Sequence, residues 1–111
     1  MRIKENFIEE TTIEKFAEKH DLTMLISERN THVLRSSPIM SLDDRFYARF
    51  ESVEVMEGGC LRGTFGNGPT PSDAIAAYAE KLSERRIAYK AHRPDRENFD
   101  VPRLVHPEEE E

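Results

Sequence analysis

Tryptophan is absent from the chain, cysteine occurs once, and no apolar run approaches the roughly 18 residues that cross a bilayer. A single thiol, Cys60, excludes a disulfide framework and a thiolate metal cluster, and it fits a reducing interior. The first residues lack the apolar stretch of a signal peptide, so the expected location is the cytoplasm, with no membrane partner. Hydrophobic residues are also scarce, 37% of 111 against 34% charged. One domain of that length has a lean core, and burial between subunits would supplement it, which makes a homo-oligomer the expectation. Positive charge is the minority sign, 16 basic against 22 acidic residues for a net charge of −6, which disfavours long nucleic acid as a partner. His20, His32, His92 and His106 lack ligand spacing, so neither a metal nor another cofactor is expected. No Ser, Cys or Lys stands in a recognised catalytic frame. Cys60, beside a turn, reads as a small apolar filler, and Asp43-Asp44 and Asp95 with Glu97 read as turn and surface residues. Binding, rather than catalysis, is the expected class.

The stretch Gly63-Thr64-Phe65-Gly66-Asn67-Gly68-Pro69-Thr70-Pro71-Ser72-Asp73 is the richest in local signals. Its glycines and Asn67 accept positive φ, so it reads as a strand ending near Phe65, a sharp turn, and a helix capped by Thr70 with Pro71 at the first helical position and Asp73 reaching back. The N–H groups and dipole of such a helix start favour an anion, although most turns of this kind only redirect the chain. Neither a Walker lysine nor a GxGxxG pattern accompanies it.

Residues 1–10 read as an N-terminal arm that either docks on a neighbour or frays. Thr11-Thr12-Ile13-Glu14 has the form of a capping box, and Ile13, Phe16, Ala17 and His20 follow at helical spacing. Leu22 to Ile26 suit a buried strand. From Glu28 to Asp44 periodicity disappears for about 17 residues, long for a structureless connection and therefore functional or disordered. Phe46, Ala48 and Phe50 alternate with Tyr47, Arg49 and Glu51, and after Ser52 the phase slips to Val53 and Val55, the mark of a bulge or a strong twist in a long strand. Glu57-Gly58-Gly59 predicts a hairpin returning through Leu61, Gly63 and Phe65. A helix from Pro71 to about Glu84 carries Ile75, Tyr78, Ala79 and Leu82 on one stripe, followed by a short strand at Ile87–Tyr89. Phe99, Val101, Leu104 and Val105 follow in an extended end, where Pro102 stops pairing or marks an edge. The prediction is an α+β fold with two helices on an antiparallel sheet, in the order helix, strand, strand, strand, helix, strand, then an extended segment. A single domain spans 11–105, and 106–111 forms a disordered acidic tail.

Eleven of the basic residues are Arg, the side chain suited to bidentate phosphate contacts. A nucleotide-like ligand needs a stacking platform, phosphate donors and polar groups for hydroxyls. Phe46, Tyr47, Phe65 and Tyr89 are candidates for stacking. Arg29, Arg45, Arg85, Arg93 and Arg96 are candidates for phosphate, and Asn67, Thr70 and Asp95 for hydroxyls. Phe46 and Phe65 also share parity with core positions, and each arginine has the ordinary alternative of a surface ion pair. Arg93 and Arg96 bracket a Pro-Asp turn and project from one loop.

Phe46-Tyr47-Ala48-Arg49-Phe50 through Gly58-Gly59, the stretch from Gly63 to Pro71 with its alanine-rich helix, and Arg93-Pro94-Asp95-Arg96 through Val101-Pro102 cover about half the chain. Together they resemble the Thoeris anti-defence family of small phage proteins, the group of sponges for cyclic ADP-ribose isomers to which a type II-A anti-CRISPR family has been linked. The resemblance implies a viral protein in the host cytoplasm that sequesters a cyclic nucleotide immune signal without cleaving it. It implies homo-oligomers, hexamers among them, with pockets between protomers and, in some members, separate sites for cyclic oligonucleotides. It places the family's ligand-binding aromatic and asparagine on Phe65 and Asn67, with Arg29 toward phosphate. Two rivals stand beside it. The element order is similar to a double-stranded-RNA-binding domain, but Ser72-Asp73 occupies the place where that family has lysines. A protein-binding inhibitor of a host defence complex is the other, although the carboxylates here are interspersed with Lys and Arg.

Overall fold

A computed structural model of the chain describes residues 1–2 and 9–107. Helices lie on antiparallel sheets, so the fold is α+β as the pattern predicts. β1 (Glu10–Thr11) leads into α1 (Ile13–His20), whose N-cap is Thr12 rather than Thr11; the Thr12 hydroxyl accepts from the Lys15 N–H at 3.2 Å. Thr11 is unavailable as a cap because it pairs in β1. α1 buries Ile13 and Phe16. β2 (Met24–Glu28) follows.

The next segment is not structureless, and the helices number three rather than two among the described residues. Asn30 accepts from the His32 N–H and starts α2 (Thr31–Ser36), which buries Leu34, and Ser41 and Asp44 form a capping box around a 3-10 turn at Leu42–Asp44. Local side-chain caps, rather than a hydrophobic period, specify both turns.

β3 (Phe46–Phe50) and β4 (Val53–Glu57) are separated at Glu51-Ser52, where Ser52 adopts φ 60. Ala48 and Phe50 are buried before the break and Val53 and Val55 after it, the expected phase slip. Gly58 and Gly59, at φ 56 and 80, turn the chain into β5 (Cys60–Arg62), with Glu57 opposite Cys60. Cys60 is exposed rather than a packed filler. β6 (Gly66–Gly68), α3 (Pro71–Leu82), β7 (Arg86–Tyr89), β8 (Glu97–Asp100) and β9 (Arg103–Leu104) complete the chain. Strands are ordered β2-β3-β6 in one sheet and β5-β4-β7-β8 in another, and β1 pairs in parallel with β9. The break at Ser52 passes one continuous ribbon from the first sheet to the second.

Gly66-Asn67-Gly68 is therefore an extended strand and not a sharp turn. Neither glycine has positive φ, and their reason for being glycine lies in α3. A methyl on Gly68 would stand 2.6 Å from the Ala74 nitrogen, and one on Gly66 would strike the backbone at Ala74 and Tyr78. Two missing side chains let the helix rest directly on the strand, with Ala74, Tyr78 and Leu82 buried along it. The Phe50 and Tyr78 rings meet edge to face at 5.4 Å, within a core that also holds Phe16, Val55, Ile87 and Val101. Burial pushes the Tyr78 hydroxyl up to about 12.

Pro102 separates β8 from β9, and the Glu84 N–H donates to its carbonyl at 3.3 Å. The Glu9 carbonyl accepts from the Arg103 N–H at 3.0 Å. Residues 3–8 of the predicted arm (1–10) and residues 108–111 of the predicted acidic tail (106–111) lie outside the described residues. Among the described residues no helix is long and apolar enough to cross a membrane.

Candidate functional site

Because the missing side chains of Gly66 and Gly68 point at α3, Asn67 between them points to the opposite face of the sheet. Its cross-strand partner is Tyr47, which has the parity opposite to buried Ala48 and Phe50. Arg29, just beyond β2, reaches the same place. One of its terminal nitrogens donates to the Asn67 Oδ1 at 2.8 Å and to the Asp44 carbonyl at 2.5 Å, and its guanidinium lies 4.4 Å from the Tyr47 ring centroid. Phe65 closes the group, with its ring 6.0 Å from Tyr47 and 5.7 Å from the Arg29 guanidinium carbon. At 39% exposure Phe65 is an accessible large aromatic, not a core residue.

A second cation approaches Phe65 from α3. The Lys81 ammonium donates to the Phe65 carbonyl at 2.7 Å and lies 5.5 Å from its ring centroid. Lys81 also lines a concavity of about 290 Å³ in the gap between β5 and β6, together with Arg62, Gly63, Arg85 and Glu57. Glu57 is 3.7 Å from Arg85 and half exposed. Among the described residues Arg29, Arg62 and Lys81 have no carboxylate within salt-bridge reach. Two cations, Arg29 and Lys81, thus border one exposed ring, and Lys81 shares the concavity with Arg62, Arg85 and one carboxylate, Glu57, on a protein whose net charge is −6. No protein-family model, curated protein or solved structure matches this chain.

Of the sequence-predicted residues, the fold brings Arg29, Phe65 and Asn67 together. Phe46 is on the other face of β3, half-buried beneath the Arg45 guanidinium at 5.4 Å, and Arg45 is held by Glu28. Thr70 caps α3; its hydroxyl accepts from the Asp73 N–H and donates to the Asp73 carboxylate, which occupies the helix start proposed for an anion. Arg93, Asp95 and Arg96 belong to the loop between β7 and β8. Asp95 bonds Lys90 at 3.0 Å and is 3.4 Å from Arg93, and Arg96 bonds Asn98. The Lys90 hydrogen bond holds the Asp95 carboxyl below its usual range and raises the ammonium in turn. None of these loop contacts reaches Arg29 or Phe65.

Tyr47 and Arg85, candidates by residue type, join the cluster, whereas Arg62 and Lys81 are new to it. Lys81 lies three residues after buried Tyr78 and seven after buried Ala74, so it flanks the helix stripe that rests on β6. That spacing was the available signal. Arg62 had none, because its approach to Lys81 depends on the break between β5 and β6.

Proposed function

We propose that the chain binds a small anionic nucleotide and holds it without breaking a bond. A base or other planar group stacks on Phe65 beside Tyr47, and the phosphates enter the concavity bounded by Arg62, Lys81 and Arg85. The position of Lys81 carries this reading, since one ammonium lies both over the exposed ring and at the phosphate-sized opening. Guanidinium, ammonium, ring and amide are groups that recognise charge and planarity, and none is a nucleophile set beside a base. In the finer form the ligand is a cyclic ADP-ribose isomer and the protein a phage sponge for a host immune signal, as the family resemblance implies.

The test is a thermal-shift screen against cyclic ADP-ribose isomers, cyclic dinucleotides and cyclic trinucleotides, using wild type, Lys81→Ala and Arg93→Ala. Ligand at 100 times its dissociation constant stabilises wild type by about 2.7 kcal/mol. Lys81→Ala loses most of that gain and Arg93→Ala keeps it. Equal shifts in wild type and Lys81→Ala would remove the site, and altered nucleotide recovered after denaturation would make the protein an enzyme. A second reading, inhibition of a host protein complex, draws on Val33, Ile39 and Leu42, which are 57%, 87% and 53% exposed in one segment. Capture of a host protein lost on Ile39→Asp, with no nucleotide shift, would favour it.

A further inference from the structure

The two larger sheets end in four edges, β2 and β6 in one, β5 and β8 in the other. A strand edge presents unpaired backbone, and proteins guard it with short length, charge, proline or a covering element. β5 and β6 have three residues each, and α3 packs on β6. β8 carries Glu97 and Asp100 and is followed by Pro102. β2 has none of these guards: Met24-Leu25-Ile26-Ser27-Glu28 lacks Pro, Gly and Lys, and the charge of Glu28 is met within the chain by Arg45 at 2.5 Å.

The ladder to β3 fixes which groups of β2 point outward. The Glu51 N–H donates to the Thr23 carbonyl at 2.8 Å and the Arg29 N–H to the Arg45 carbonyl at 2.7 Å. Pairs alternate along an antiparallel ladder, so Thr23, Leu25, Ser27 and Arg29 bond toward β3, and Met24, Ile26 and Glu28 turn their N–H and C=O groups away from it. No described residue pairs with those outward groups. The Ile26 side chain shares the face of its cross-strand partner Ala48, but α3 packs over β6 and β3, which leaves Ala48 buried and Ile26 43% exposed.

We propose that β2 pairs antiparallel with β2 of a second copy, about a two-fold axis at Ile26. Ile26 then lies opposite Ile26, and Met24 of each copy opposite Glu28 of the other, so every outward N–H and C=O of these three residues finds a partner and two three-stranded sheets become one. The seam places no like charges opposite each other. Its ends are complementary: Asp21 and Glu51, exposed and without ion pairs among the described residues, flank the start of β2, while Arg29 and Arg35 follow its end, and an antiparallel pairing sets start against end. The joined sheet also carries exposed Arg49 of the second copy in the row of Tyr47 and Ser27, about 14 Å from Tyr47 at the usual strand spacing, on the face that holds Arg29 and Asn67. The pairing goes beyond nucleotide binding and does not depend on it.

Cysteine cross-linking in the full chain with Cys60→Ser tests the register. On oxidation Ile26→Cys should form a covalent dimer, and a mixture of Met24→Cys and Glu28→Cys should form a mixed one. Met24→Cys alone should not, because its two copies stand about 14 Å apart along the seam, beyond the reach of a disulfide. Sedimentation is the second measurement: wild type and Ile26→Val run as a dimer or a multiple of it, and Ile26→Lys halves the mass with an unchanged circular dichroism spectrum. Should Ile26→Lys fail to fold, the cross-linking pattern decides. A monomeric wild type, including one that pairs with a foreign peptide instead, a mass unaltered by Ile26→Lys in the folded protein, or cross-linking of Met24→Cys alone as complete as that of Ile26→Cys would overturn the proposal.

Discussion

Gly66 and Gly68 show how a residue can be required for what it leaves out. At both positions an added methyl meets helix backbone rather than a flexible side chain, so the sheet and α3 must separate for it to fit. Gly66→Ala is expected to destabilise the protein by about 1–3 kcal/mol in urea denaturation. Gly63→Ala, where nothing lies within 4 Å, serves as the control and should change stability by less than about 0.5 kcal/mol. His20 gives a pH signature of similar specificity. Its ring lies 4.7 Å from Phe16 and 4.1 Å from Phe99, and burial lowers its pKa from 6.5, Lys19 adding to the shift while Glu97 and Glu9 partly offset it. The unfolded chain then takes up the proton more readily than the folded one. The stabilisation from neutral His20 is complete above the unfolded value and is lost as pH falls through the lower folded value. Melting temperatures measured from pH 8 to 5 should therefore decline less steeply for His20→Phe than for wild type.

α3 depends on its first turn. Thr70→Ala removes the hydroxyl that accepts from the Asp73 N–H and leaves the Asp73 carboxylate without its partner, a loss of about 1 kcal/mol. Thr70→Ser should restore most of it in the same denaturation assay, which separates capping from packing. This helix start was legible in the sequence because Thr, Pro and Asp each act on neighbouring backbone. So were the phase slip at Ser52 and the hairpin at Gly58-Gly59, which are also local. β6 was not legible, since glycines spaced for contact with a helix carry the same letters as glycines in a turn. α2 was not either, with six residues and one buried side chain, Leu34, too few to make a period. The candidate site divides in the same way. Asn67 and Tyr47 are opposed by a strand register that alternation implies, but Lys81 reaches Phe65 across sixteen residues and through a packed helix. Arg93 and Arg96 look equivalent to Arg29 by residue type, and only the course of β7 carries them to another loop.

The distribution of charge over the molecule allows the ligand reading to be tested by the sign of a salt effect. Many of the ion pairs are exposed: Lys19 with Glu9, Arg86 with Asp100 and Arg85 with Glu57 all have side chains at least half accessible. Such pairs contribute at most about 1 kcal/mol each, so the stability of the unliganded protein should change little with ionic strength. An anionic ligand experiences two opposing fields. The net charge of −6 repels it at long range, and screening that repulsion would tighten binding as salt is added. The cations around Phe65 attract it at close range, with Arg29 and Lys81 centred 5.7 and 5.5 Å from the ring. Those distances are shorter than the screening length of about 10 Å at 0.1 M salt and longer than the value of about 3 Å at 1 M. Close attraction therefore outweighs distant repulsion at low salt and fades on addition of more. Titration calorimetry with a cyclic nucleotide should show affinity falling about tenfold between 0.05 and 0.5 M sodium chloride, a change of about 1.4 kcal/mol. In Lys81→Ala the slope should be shallower. Binding that strengthens with salt would mean that the ligand senses the acidic surface as a whole, and the cations bordering Phe65 would then lose their assigned role.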